Sequence, residues 1–154
     1  MSSIEKFLRD GPVIAASADP HMEDDVRVQL PADYVMRAVR GTKMNSIAGV
    51  FDEFAAALQF PYYFGENKDA FEECLRDLEE FLGAASGYVI VVRDAECVLA
   101  SQRDEFGWLT DALRYVGGWW SARQSPVAFR VLALSSYPDG RHRWSTVEVQ
   151  SPGR

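Results

Sequence analysis

Tyr88-Val89-Ile90-Val91-Val92 is an uninterrupted apolar run closed by Arg93-Asp94. A strand with one wet face alternates polar and apolar residues, so five apolar residues in a row describe a strand covered on both sides. That is the pattern of a parallel sheet. The flanking segments have a different period. Ile47, Val50, Phe51, Phe54 and Leu58 recur at helical spacing, with Asn45 or Ser46 as the cap and Pro61 setting the end. Asp104 to Ser121 brings Phe106, Leu109, Leu113, Val116 and Trp120 to one side, and Gly117-Gly118 is expected to end or kink this helix. Ala95 to Ser101 predicts a short helix, and Tyr34–Arg40 and Ala128–Leu134 predict two more strands. The order strand, helix, helix, strand, helix, helix, strand implies an α/β fold: a three-stranded parallel sheet with right-handed crossovers and about four helices.

The 154 residues fit one domain with extensions. Residues 1–33 read as an accessory segment: a helical turn over Ile4 to Leu8, a short strand over Pro12 to Ala16, and an acidic loop from Asp19 to Asp25. Residues 34–135 hold the main pattern. Residues 136–154 read as a C-terminal extension, with a turn at Tyr137-Pro138-Asp139-Gly140, an edge strand over Trp144 to Val149 and a loose end.

A net charge of −7 argues against nucleic acid or an anionic membrane as partner, because both need lysine and arginine to displace counterions. It fits a basic protein partner, whose approach opposite charge accelerates. The start of the chain lacks an apolar signal segment, and no apolar run reaches the roughly 18 residues of a membrane span. Cys74 and Cys97 match neither a disulfide framework nor a metal spacing, which predicts reduced thiols in a cytoplasmic protein. His21 and His142 stand alone near opposite ends, so neither a metal nor a Cys–His catalytic site is expected. There is no glycine-rich phosphate loop and no Gly-x-Ser-x-Gly elbow, and no cofactor is implied. Trp108, Trp119 and Trp120 are expected in the core or at a packed edge, since a base-stacking platform comes with a basic groove.

The chemistry concentrates in residues 60–82. Phe60-Pro61-Tyr62-Tyr63-Phe64-Gly65 is an aromatic loop leading into a helix capped by Asn67. Along one helix, Phe71, Cys74, Leu75, Leu78 and Leu82 gather on one side, and Asp69, Glu72, Glu73, Arg76 and Glu80 gather opposite. Asp69, Glu72 and Glu73 lie near the helix N-terminus, where the macrodipole offsets part of their repulsion. Adjacent carboxylates such as Glu72 and Glu73 permit a hydrolase reading, but acid catalysis needs a pocket to raise one pKa. A wet, purely structural acidic face is the third possibility.

Pro61-Tyr62-Tyr63-Phe64-Gly65-Glu66-Asn67-Lys68-Asp69-Ala70, followed by Cys74-Leu75, resembles the barstar family, intracellular inhibitors of barnase-type ribonucleases. The resemblance runs from about Tyr34 to Ser135. It implies a barstar-like three-stranded parallel sheet with helices, and a non-enzymatic inhibitor or immunity protein of bacterial type. The implied partner is a basic extracellular-type ribonuclease or toxin domain, bound one to one. Tyr63, Gly65, Asn67 and Asp69 match positions that line the family's inhibitory surface. Glu72 stands where the family has a tryptophan, and Glu73 where it has the aspartate that enters the nuclease's phosphate site. Tyr62, Phe64 and Arg76 complete the expected partner-binding set, and Asp111 is the candidate for an acid that the family uses on a later helix. A non-ribonuclease toxin or another basic partner is the alternative on the same fold.

Overall fold

The computed structural model describes residues 1–153. Helix α1 (Ser3–Asp10) leads to strand β1 (Ile14–Ser17), helix α2 (Met22–Gln29) and strand β2 (Tyr34–Arg40). Helices α3 (Ile47–Leu58), α4 (Lys68–Arg76) and α5 (Leu78–Leu82) then precede strand β3 (Gly87–Arg93). Helix α6 (Phe106–Ser121), strand β4 (Ala128–Leu134) and helix α7 (Pro138–Trp144) complete the order, with 3-10 turns at Gly41–Lys43, Ala95–Cys97 and Arg103–Glu105.

The strands form one parallel sheet in the order β1-β4-β3-β2. The apolar run sits at its centre, with Ile90 paired to Arg37 on one side and Val131 on the other. Residues Gly87 to Val92 are all buried, as a doubly covered strand requires. Tyr88, Ile90 and Val92 point with Phe129 and Val131 into a core shared with α3, α4 and α6. Val89 and Leu132 point the other way, against Ile4, Phe7 and Leu8 of α1 and Met22 and Val26 of α2. The connection through α2 crosses from one sheet edge to the other, while the two later connections step back strand by strand. Right-handed crossovers therefore place α2 on the face opposite α3–α6.

Several sequence expectations need correction. The sheet has four strands, not three: Ile14–Ser17 pairs with Val131–Leu134 and is buried at every position. Its run of Ile14-Ala15-Ala16 is too short to show a period, so only the pairing reveals its place. The acidic segment near residue 20 opens α2 rather than a loop, with Glu23, Asp24 and Asp25 in the favourable first turn. Gly117-Gly118 neither ends nor kinks α6, which continues to Ser121. The turn expected at Tyr137 to Gly140 opens α7, with Pro138 in its first turn and Trp144 buried against Phe106, ring centroids 5.0 Å apart, and the strand expected over Trp144 to Val149 does not form. Only a short bridge remains there, as Ala16 N–H donates to the Val147 carbonyl and Val149 N–H donates to the Ala16 carbonyl, both at 2.9 Å.

The two glycines of α6 differ in their surroundings. A Cβ on Gly117 would overlap the γ-methyls of Val13, whereas one on Gly118 would meet nothing. Gly118→Ala is expected to stabilise the fold by about 0.5–1 kcal/mol through helix propensity. Gly117→Ala is expected to lose about 1–3 kcal/mol to overpacking, and Val13→Ala should recover part of that loss. Denaturant midpoints of the three variants check this; a stabilising Gly117→Ala in the wild-type background would contradict the packing.

Glu23 ties α2 to the end of β3 through two 2.7 Å bonds from Arg93. Hydrogen bonding from Arg93 outweighs the opposing effect of burial and holds the Glu23 carboxyl below its ordinary value. A lowered folded pKa contributes stability above the unfolded value, and that stability is lost as pH falls through the folded one. The acid limb of a stability–pH curve should therefore be shallower in Glu23→Gln than in wild type.

Candidate functional site

The aromatic loop sorts its side chains by direction. Phe60 and Phe64 turn inward, 5.2 Å apart, with Phe64 edge-on to Phe51 at 5.6 Å. Phe71 of α4 packs edge-on against Phe54 at 5.1 Å and Phe60 at 6.3 Å. Tyr62 and Tyr63 turn outward, 100% and 70% exposed. Phe64 is thus half-buried against the core, and the free aromatic surface of the loop comes from the two tyrosines.

Asn67 fixes the start of α4. Its Oδ1 accepts from the Ala70 N–H at 2.9 Å, and its Nδ2 donates to the Gly65 carbonyl at 3.3 Å. One side chain therefore caps the helix and closes the loop before it. Gly65 has little spare room, because a Cβ there would lie 3.0 Å from that Nδ2. Phe71, Cys74 and Leu75 anchor α4 from below.

The helix expected to run on to Leu82 is divided at Asp77 into α4 and α5. The cause is tertiary. The indole N–H of buried Trp120 donates to the Leu75 carbonyl at 2.9 Å, the acceptor a continuing helix would offer to the residue four ahead. Asp77 N–H bonds instead to the Cys74 carbonyl at 3.0 Å.

Both bases of α4 are engaged by the protein itself. Lys68 Nζ lies 2.6 Å from Glu105 Oε2 and 5.0 Å from the Trp108 ring centroid. Arg76 folds back to the Glu72 carbonyl, 3.4 Å away, with its guanidinium 5.8 Å from the Tyr115 ring. Asp69, Glu72 and Glu73 form neither ion pairs nor side-chain hydrogen bonds among the described residues. Asp69 and Glu73 are exposed and Glu72 is half-buried. The outcome is a rigid helix whose cations are withdrawn and whose carboxylates are left uncompensated.

Helix α6 runs beside α4, with Trp108 near Lys68 and Tyr115 near Arg76. Asp111 lies on α6 between these two contacts, exposed and without an ion pair among the described residues. Trp119, expected in the core or at a packed edge, is instead exposed at 37%, and Tyr115, to which the sequence pointed no role, is 54% exposed. Both fall outside the apolar stripe of Leu109, Leu113, Val116 and Trp120, and that offset was the available signal. Trp108 is half-buried and Trp120 fully buried, as expected of core and edge residues.

Cys74 lies under the acidic face. Burial, then the charges of Asp77 and Glu73, push its thiol up to about 11, so it stays protonated and unreactive at neutral pH. A cleft of about 450 Å³ opens elsewhere, past the carboxyl ends of β1, β3 and β4, and includes no residue of the 60–82 segment. Among the described residues, no group of three or more His, Cys, Asp and Glu is placed to hold a metal, and no helix is long and apolar enough to cross a membrane.

No curated protein matches the chain. The family model described as Barstar (barnase inhibitor) matches residues 34–133, from the first residue of β2 to the last but one of β4. With nearly two thirds of its length so matched, and the capped acidic helix inside the match, the chain belongs to the barstar family.

Proposed function

We propose that this protein is a non-enzymatic inhibitor that binds a basic, barnase-type ribonuclease one to one and blocks its active site with α4 and the tyrosines of the preceding loop. The observation that carries this reading is the set of three carboxylates, Asp69, Glu72 and Glu73, left without an ion pair on a helix that is capped, anchored and has its own two bases drawn to Glu105, Trp108 and Tyr115. A ribonuclease cleft is lined with cationic groups that bind a phosphodiester, and a carboxylate held at the right place substitutes for the phosphate without being cleaved. Arginine meets carboxylate through short, charge-assisted and often bidentate bonds. Tyr62 and Tyr63, exposed beside those charges, add the aromatic area that anchors an interface. The free thiols Cys74 and Cys97 fit action in a reducing compartment such as the cytoplasm.

RNA cleavage by a panel of basic microbial ribonucleases, with and without one equivalent of the protein, tests the reading. At least one member should be silenced at stoichiometric ratio, with association slowed by added salt. Undiminished cleavage across the panel would count against inhibition and favour a basic partner that is not a ribonuclease. Turnover of any substrate by the protein alone that vanished in Glu73→Gln would replace both with a hydrolase.

A further inference from the structure

We infer that the small cleft lined by Arg9 at the end of α1 and the buried Arg130 of β4 binds a phosphate group, as free phosphate or as a small phosphomonoester. The cleft includes no residue of the 60–82 segment, so the inference stands apart from the inhibitor reading.

Arg130 is only 8% exposed. Its Nε donates to the Phe7 carbonyl at 3.0 Å, its Nη1 to the Phe129 carbonyl at 3.1 Å and its Nη2 to the Arg9 carbonyl at 3.0 Å. Two of these bonds cap the last turn of α1. Together they use three of the five N–H groups of a guanidinium, so Nη1 and Nη2 each keep one. All three acceptors are neutral carbonyls, and Arg130 forms no ion pair among the described residues. A helix end carries only about half a negative charge, which leaves much of this cation uncompensated inside the fold, where charges are as a rule paired. Burial accordingly holds its pKa below the ordinary arginine value, against the opposing influence of Tyr34 and Asp10.

The cleft beside this guanidinium holds about 200 Å³. Arg9 reaches it from α1, Ser121 from the end of α6 and Ser86 from the residue before β3. All three are exposed, and Arg9 also has no ion pair among the described residues. Tyr34 forms a wall, its hydroxyl donating to the Leu8 carbonyl at 3.3 Å and its ring filling the space that Gly87 leaves. Donors from four separate elements suit phosphate better than carboxylate. A carboxylate has two oxygens, which a single guanidinium fork satisfies, whereas a phosphate group brings three strong acceptors. The volume is below the roughly 300 Å³ at which pockets for larger ligands begin, so the group can carry only a small body. Asp10 and Asp33 are close enough to act on Tyr34, but both are exposed and neither lines the cleft. They weaken the attraction for an anion without occupying its donors. On a chain of net charge −7, anions are repelled elsewhere, and saturable binding has to be local.

The test titrates inorganic phosphate into the full chain at constant ionic strength and follows the backbone amide resonances. Saturable binding in the millimolar range or tighter should move Ser86, Val127 and Ala128 most, and sodium chloride at matched ionic strength should move none of them. Glycerol phosphate binding more tightly than inorganic phosphate would identify a phosphomonoester as the ligand, and equal or weaker binding would identify free phosphate. Arg9→Ala, a surface change, should weaken phosphate binding about tenfold or more with thermal unfolding near wild type. Arg130→Met should abolish binding and also lower stability, because the α1 carbonyls lose their donors. If phosphate moves no amide of the cleft, or binds Arg9→Ala as tightly as wild type, the site is refuted.

Discussion

Asp69→Asn/Glu73→Gln should weaken binding to the target ribonuclease by about a thousandfold or more, while the stability of the protein itself changes by less than about 1 kcal/mol. Truncating one partner of a desolvated, hydrogen-bonded charge pair costs roughly 2–5 kcal/mol, a range to which the barnase–barstar complex of this same family contributes. Two such losses at the lower figure come to about 4 kcal/mol, and each 1.4 kcal/mol is tenfold in affinity. The small change in stability is the balance of two opposing effects, since Asp69 in the first turn of α4 is favoured by the helix dipole by about 0.3–1 kcal/mol. Asp69 and Glu73 stand four residues apart on α4, where like charges repel by roughly 0.2–0.5 kcal/mol. Neither has a cation of its own to lose. Binding should thus fall steeply while stability hardly moves, as expected of residues that serve a partner rather than the fold. The association rate should also lose part of its salt dependence, because the long-range attraction is reduced by two charges. Isothermal titration with thermal unfolding of the same samples checks all three. Affinity within a fewfold of wild type would remove α4 from the interface.

Local patterns made much of this protein legible in its sequence, and partners distant in sequence account for what was not. The apolar run at Tyr88–Val92 placed the central strand because double coverage leaves a direct mark on composition. The Asn67 cap and the division of α4 into an apolar and an acidic side were equally local. A short strand over Pro12 to Ala16 was local too, but its place in the sheet was not, since Ile14–Ser17 joins the sheet only through Val131–Leu134, more than a hundred residues later. The role of Gly117 was hidden for the same reason. Its neighbour across the fold is Val13, so what reads as a helix breaker is a space left for another element. At the site, the acids could be read but their isolation could not. Lys68 and Arg76 would serve to neutralise α4 in any sequence-based account. Only Glu105, Trp108 and Tyr115, all beyond residue 100, show where those cations have gone.

Trp120→Ala should have the largest effect on stability of any single substitution considered, about 3–5 kcal/mol, and should disturb the site as well as the core. Trp120 is fully buried, packs on Tyr88 at 5.3 Å, and lies under the guanidinium of Arg123 at 4.9 Å. Its removal leaves a large cavity beside the sheet. It also leaves the Leu75 carbonyl without its indole donor at the junction of α4 and α5. Trp120→Phe separates the two effects, since it keeps most of the aromatic area and drops only the N–H. That variant should cost about 1–3 kcal/mol, the penalty for a buried acceptor left unpaired. Domains of this size hold only about 5–15 kcal/mol in total, so the alanine variant should fall near the edge of cooperative folding at physiological temperature. Denaturant titration gives the order, with wild type above the phenylalanine variant and that above the alanine variant. If the phenylalanine variant matched wild type, the Trp120–Leu75 bond would have no part in holding α4. The division of the acidic helix at Asp77 would then need a different cause.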